Sequence, residues 1–271
     1  MKSKTILSIV VISLLLSSCL VNSLHPFYDE KSIFFDEEFL GKWLDQDSTK
    51  WTIKKMYFSY GKGDQKEEYK TDGYAVRYAP KSTWMKNENK KESPFTEPSS
   101  ADFDVFLFKI NNQLYADFTP TMLPTFDTWG DNSKFSNLHR IRTHTLAKIV
   151  KEDNGFELIW FNGLWLAELI ENNRIKISHE FIPFAKPYSR FYKGQYVLTA
   201  STSELQSFIK KYGNDPNAFV RKREPLNEPR KAGKYTWNVG ADQYSGDFDH
   251  QIDSTGTSYN YILTKFDDSK N

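Results

Sequence analysis

From Gly41 to Ala200 apolar and polar residues mostly alternate, the period-two signature of strands that bury one face. Residues 51–58 (WTIKKMYF) and 69–78 read as strands joined by the polar turn GKGDQKE, and residues 81–102 form a polar loop containing Pro94 and Pro98. Three hairpins follow. Residues 103–110 and 113–118 flank Asn111-Asn112; residues 139–150 and 156–161 flank Glu152-Asp153-Asn154-Gly155; residues 164–170 and 174–181 flank Glu171-Asn172-Asn173. Asn and Gly accept the positive φ that tight hairpin turns require. Evenly spaced strands without intervening helices imply an antiparallel sheet, sandwich or barrel.

One helical pattern breaks this rhythm. Ser201-x-x-Glu204 is a capping box, Leu205, Phe208, Ile209 and Tyr212 follow at helical spacing, and Gly213 stops the run. Beyond Pro225 the chain turns polar and rich in Gly, Asp and Ser, apart from residues 259–266 (YNYILTKF), which read as one more strand. The expected fold is mainly β: an antiparallel, barrel-like or strongly curved sheet domain with one late packed α-helix. The aromatic content, 21 Phe, 15 Tyr and 7 Trp, suits sheets.

The N-terminus has a different logic. Met1-Lys2-Ser3-Lys4 is short and positive, and residues 5–16 are an apolar run too short for a comfortable membrane span. Leu16, Ser17 and Ser18 then precede Cys19, the only cysteine of the chain. Leu16-Ser17-Ser18-Cys19 resembles the lipobox of bacterial lipoproteins, where the thiol receives a diacylglycerol and the peptide is cut before it. A thiolate is the side chain best able to form that thioether. Several acyl chains, at about 0.8 kcal/mol per buried CH2, give stable anchoring in a lipid bilayer. Position 20 is Leu rather than Asp, so the retention signal of enteric inner-membrane lipoproteins is missing, and that resemblance implies an outer-membrane address; the lack of an acidic run just after Cys19 points to the periplasmic face.

Two resemblances bear on the remainder. An apolar residue followed by Gly41-Lys42-Trp43, opening the first strand of an all-β region, resembles the G-x-W signature of lipocalins and other calycins. In that group the Trp plugs the closed end of an eight-stranded barrel, an Arg near the last strand covers it, and a helix packs on the wall; no such Arg is placed in this sequence. The lipobox, HPFYDEKSIFFDEEFLGKW, LHRIRTHTLAKI and LTASTSELQSFIKKY together resemble lipoproteins of unassigned activity common in Bacteroidota, which implies location and architecture.

The chain divides accordingly: signal peptide 1–18, lipidated N-terminus and tether 19–38, β domain 39–200, packed helix 201–213 and polar C-terminal extension 214–271. In the tether, Leu24, Phe27, Ile33, Phe34 and Phe35 are apolar enough to pack on the body. Cleavage removes Lys2 and Lys4 from 36 basic residues set against 35 acidic ones, and this balance argues against nucleic acid. With Cys19 acylated no intramolecular disulfide can form.

Candidate chemistry is sparse. Arg140, Arg142 and His144 share one strand face, which could hold an anionic head group if turned inward or be solvated if turned outward. His139 and His144 fall on opposite faces, leaving His144 with His179 as the one geometric option for a metal. Asp247, Asp249, Gln251 and Asp253 begin like a calcium loop but lack its Gly and Glu. Residues 220–234 are a basic stretch suited to anionic head groups or to a solvated linker. No nucleophile elbow, zinc helix, phosphate loop or Cys-x-x-Cys occurs. The expectation is a non-enzymatic lipoprotein without cofactor or metal that binds a small apolar or amphipathic ligand, with Arg142, His144 and Trp160 as contact residues. Phe106, Phe108, Tyr115, Trp160 and Trp165 would supply the cavity lining. The alternative is a structural or interaction module of the envelope with a filled core, and a weaker one is an envelope hydrolase built on Arg142, His144 and Asp117.

Overall fold

Strands β1 (Asn22–Ser23), β2 (Gly41–Leu44), β3 (Lys50–Tyr60), β4 (Glu67–Ala79), β5 (Ala101–Ile110), β6 (Gln113–Pro120), β7 (His144–Glu152) and β8 (Gly155–Trp160) run in sequence. They are followed by helix α1 (Gly163–Glu171), β9 (His179–Pro183), β10 (Gly194–Leu198), α2 (Thr202–Tyr212), β11 (Gly233–Val239), β12 (Asp242–Phe248) and β13 (Asn260–Lys265). This computed structural model describes residues 21–60, 67–80, 100–121, 141–183, 194–219, 233–239, 242–248 and 260–266. Strands β2 to β8 form an antiparallel meander; β13 pairs with both β2 and β8, and β6 pairs with β7, so eight strands close a barrel. The closing strand thus comes from the end of the chain, after α2. Strands β11 and β12 form a separate antiparallel hairpin.

Strand alternation sorts the side chains into two cores. Inside the barrel lie Trp43, Trp51, Ile53, Tyr74, Val76, Val105, Leu107, Ala116, Phe118, Ala147, Ile149, Phe156, Leu158, Trp160 and Leu263. The opposite parity on β5 to β8 gives Phe108, Ile110, Tyr115, Leu146 and Ile159, which meet α1, α2 and the N-terminal segment outside the wall. These strands are covered on both faces, so they read as nearly continuous apolar runs. Away from that covered sector the outer face carries Lys54, Arg77 and Asp102, all exposed. An apolar interior and a charged exterior reverse the pattern of barrels that span membranes.

The third expected hairpin is a helix. Asn162 caps α1 by accepting from the Leu164 and Trp165 amides, and Leu166, Leu169 and Ile170 are buried at helical spacing. Asn173 does adopt a positive φ of 52°, but it ends the helix: its N–H donates to Ile170 and that of Arg174 to Leu169. This is a Schellman closure, which draws on the same left-handed tolerance of Asn as a hairpin turn. The Asn111-Asn112 turn is formed as expected, with φ of 52° and 62°. Helix α2 has the full capping box at Ser201 and Glu204.

The N-terminal segment from Val21 is stitched into the second core. Val21 and Phe27 are buried, β1 lies between β7 and β10, and Phe34 donates to the Leu107 carbonyl at 2.8 Å. Ile33, Phe34 and Phe35 are half-buried, whereas Leu24 is exposed.

Candidate functional site

The polar residues best placed for chemistry sit on the outer wall of the barrel beneath the N-terminal segment. Asp104 on β5, Asp117 and Thr119 on β6 and His144 on β7 share the outward parity, and Asp104 is the cross-strand partner of Thr119. His144 Nδ1 lies 2.8 Å from Asp117 Oδ1 and 3.0 Å from Thr119 Oγ1. The other oxygen of Asp117 accepts the Phe27 amide at 2.8 Å. Asp117 is only 1% exposed, so these bonds replace the water it loses. Beside it, Asp104 accepts from Thr121 Oγ1 and from Arg142 Nη2, both at 2.7 Å. Tyr28 packs tilted against Phe106, ring centroids 4.7 Å apart, and its hydroxyl is pushed up to about 12, first by burial and then by Asp117.

This constellation brings His144 to Asp117 but ties Arg142 to Asp104. A His–carboxylate pair can orient a general base for a nucleophile; the hydroxyl within reach here is that of Thr119, which is buried and faces the nitrogen that also holds Asp117. The hydroxyl across the strand pair from His144 belongs to Ser23, which is fully buried and donates to the His25 carbonyl. The site is a clasp: Asp117 holds the N-terminal segment by its backbone, and His144 and Thr119 hold Asp117.

Trp160 is not part of it. It points into the barrel, 4.9 Å from Phe118, on the opposite side of the wall from Arg142 and His144, so the three expected contact residues do not meet. Four of the five expected lining residues also lie outside the barrel. Phe108, Tyr115 and Trp165 belong to the second core and Phe106 lies under Tyr28; Trp160 alone faces inward. The interior is occupied by rings in mutual contact, among them Trp51 with Tyr78 at 5.0 Å, Phe39 with Phe156 at 5.2 Å and Trp51 with Tyr261 at 5.3 Å. His144 and His179 lie in one cross-strand row, His144–Ser23–Leu198–His179. Three strand spacings, about 14 Å, keep them from sharing an ion. Among the described residues no three His, Cys, Asp or Glu side chains are grouped as metal ligands. His139, Arg140, the lipobox with Cys19, and residues 220–232 and 249–253 lie outside the described residues.

No protein-family model, curated protein or solved structure matches the chain. The barrel is compatible with a calycin-like fold, and the G-x-W motif can be assessed on its own geometry. Trp43 is buried, its indole donates to the Phe39 carbonyl at 3.1 Å, and its ring meets Phe156 edge-on at 5.1 Å. Lys265, at the end of closing strand β13, lays its ammonium 4.5 Å from the Trp43 ring and donates to Leu40. A cation from the last barrel strand thus lies over the tryptophan. Gly41 has a φ of 132°, a conformation that favours glycine, which accounts for the first position of the motif. The only sequence signal for Lys265 was its place at the end of the YNYILTKF strand.

Proposed function

We propose that the chain is a lipid-anchored protein of the bacterial envelope, held through acylated Cys19, whose barrel is a rigid interaction scaffold rather than a ligand carrier. One observation carries the second half: the barrel interior is packed with contacting aromatic rings. A carrier of apolar molecules needs an apolar cavity of several hundred Å3 in that position. The reading of the anchor rests on Lys2, Lys4, the apolar run and Leu16-Ser17-Ser18-Cys19. By that address the protein sits in the outer membrane facing the periplasm.

The anchor is tested by a Cys19→Ala variant. It is expected to lose palmitate labelling and to stay at precursor mass; continued labelling and processing would refute the lipobox reading. The scaffold half is tested by titrating a fluorescent fatty acid into the purified mature protein, with no saturable binding expected.

A further inference from the structure

Cys19 and Val21 are two residues apart, so their Cα atoms are at most about 7 Å from each other. Val21 is 4% exposed and packs in the second core, and β1 begins at once. An acyl chain on Cys19 would therefore be attached to the folded body, with no free linker between. The face of the protein nearest Val21 would have to lie on the bilayer.

That face is defined by strand register. Strand β1 runs parallel to β10, with Asn22 opposite Val197, so the chain traced back from Asn22 heads toward Gly194. There β10 pairs only with β9, placing Gly194, Gln195 and Tyr196 opposite Pro183, Ile182 and Phe181. Phe181 and Ile182 are 45% and 46% exposed, and Pro183 is exposed too. Successive side chains point to opposite faces, so this ribbon presents an exposed apolar side chain on each side, Phe181 opposite Tyr196 on one and Ile182 beside Gln195 and Glu180 on the other.

We infer that the end of the β9–β10 ribbon at Phe181, Ile182 and Pro183 docks on the lipid surface beside the acylated Cys19, fixing the barrel's orientation on its membrane. This rests on the anchor reading above. The occupant is lipid rather than a partner strand because a group anchored within a few residues of this face holds it against the bilayer. Shallow insertion of a few apolar side chains adds to acyl anchoring without replacing it.

The test uses the full acylated chain in phospholipid vesicles. Because acylation consumes its only cysteine, Ile182→Cys supplies one free thiol for an environment-sensitive fluorophore. Ile141→Cys is the control: Ile141 is 77% exposed and precedes His144, so it lies beyond the Ser23–His144 pair from Val21. Nitroxide-bearing lipids are expected to quench the probe at 182 at least about twofold more than at 141. Equal quenching at both sites, in protein whose Cys19 carries acyl chains, would overturn the docking face and leave the anchor standing. A blue-shifted but unquenched probe at 182 would overturn it in favour of a protein strand on edge β9. Absence of acyl chains on Cys19 would remove the anchor reading and this inference with it.

Discussion

Asp117 shows how much one side chain organises. Its carboxylate is buried, yet it accepts from an imidazole on one oxygen and from the Phe27 backbone on the other. Replacing it by Ala leaves the buried Phe27 N–H without its partner and takes from His144 Nδ1 one of its two, Thr119 Oγ1 remaining. Asp117→Ala should cost about 1–3 kcal/mol in urea unfolding and speed proteolytic cleavage between residues 21 and 40. Asp117→Asn, which keeps an acceptor for Phe27, should lose less; equal losses would show that the clasp does not work through that bond. At this scale the sequence was only partly legible. His144 and Asp117 were visible as candidates, but their pairing depends on the register Asp117–Leu146, which no local pattern encodes.

At the scale of elements, the barrel strands and α2 were readable because each has a period and a cap or turn of its own, whereas β1, β10 and the β11–β12 hairpin lay in stretches not read as strands. Helix α1 was not, because its boundary signals, Asn162 and Asn172-Asn173, serve turns and helix ends alike. The faces of β5 to β8 were also ambiguous. Phe106 and Phe108 alternate with Val105 and Leu107, and both sets are covered, one by the barrel and one by the outer layer. The closing seam between β8 and β13 offers a test of the topology. A Cβ on Gly155 would collide with the Leu263 carbonyl oxygen, which is backbone and cannot swing aside. Gly155→Ala should therefore force the β8–β13 seam apart and lower the unfolding midpoint. A thermal melt superimposable on wild type would mean that β13 does not pair at this point. The sequence marked 259–266 as a strand but gave no sign that it closes the ring.

For the whole molecule, the dense aromatic packing gives a pH signature. Burial raises the hydroxyls of Tyr28, Tyr74 and Tyr115 to about 12 from the ordinary 10.0, and it raises Tyr261 further still. A group whose folded value is raised favours the folded state below its unfolded value and loses that contribution as pH climbs toward the folded one. Stability should thus be flat with respect to these groups below about pH 10 and fall between about pH 10 and 12. Tyrosinate absorbance from these four rings should appear together with loss of near-ultraviolet circular dichroism. Early ionisation without unfolding would show the rings to be accessible.

A filled barrel tied to a membrane by Cys19 is the arrangement we propose. Native mass spectrometry of the protein extracted from its own membranes tests both parts in one spectrum. The expected spectrum shows a chain that begins at Cys19, carries covalent acyl chains and retains no other small molecule. An unacylated chain, or a stoichiometric non-covalent lipid that survives in the gas phase, would contradict it.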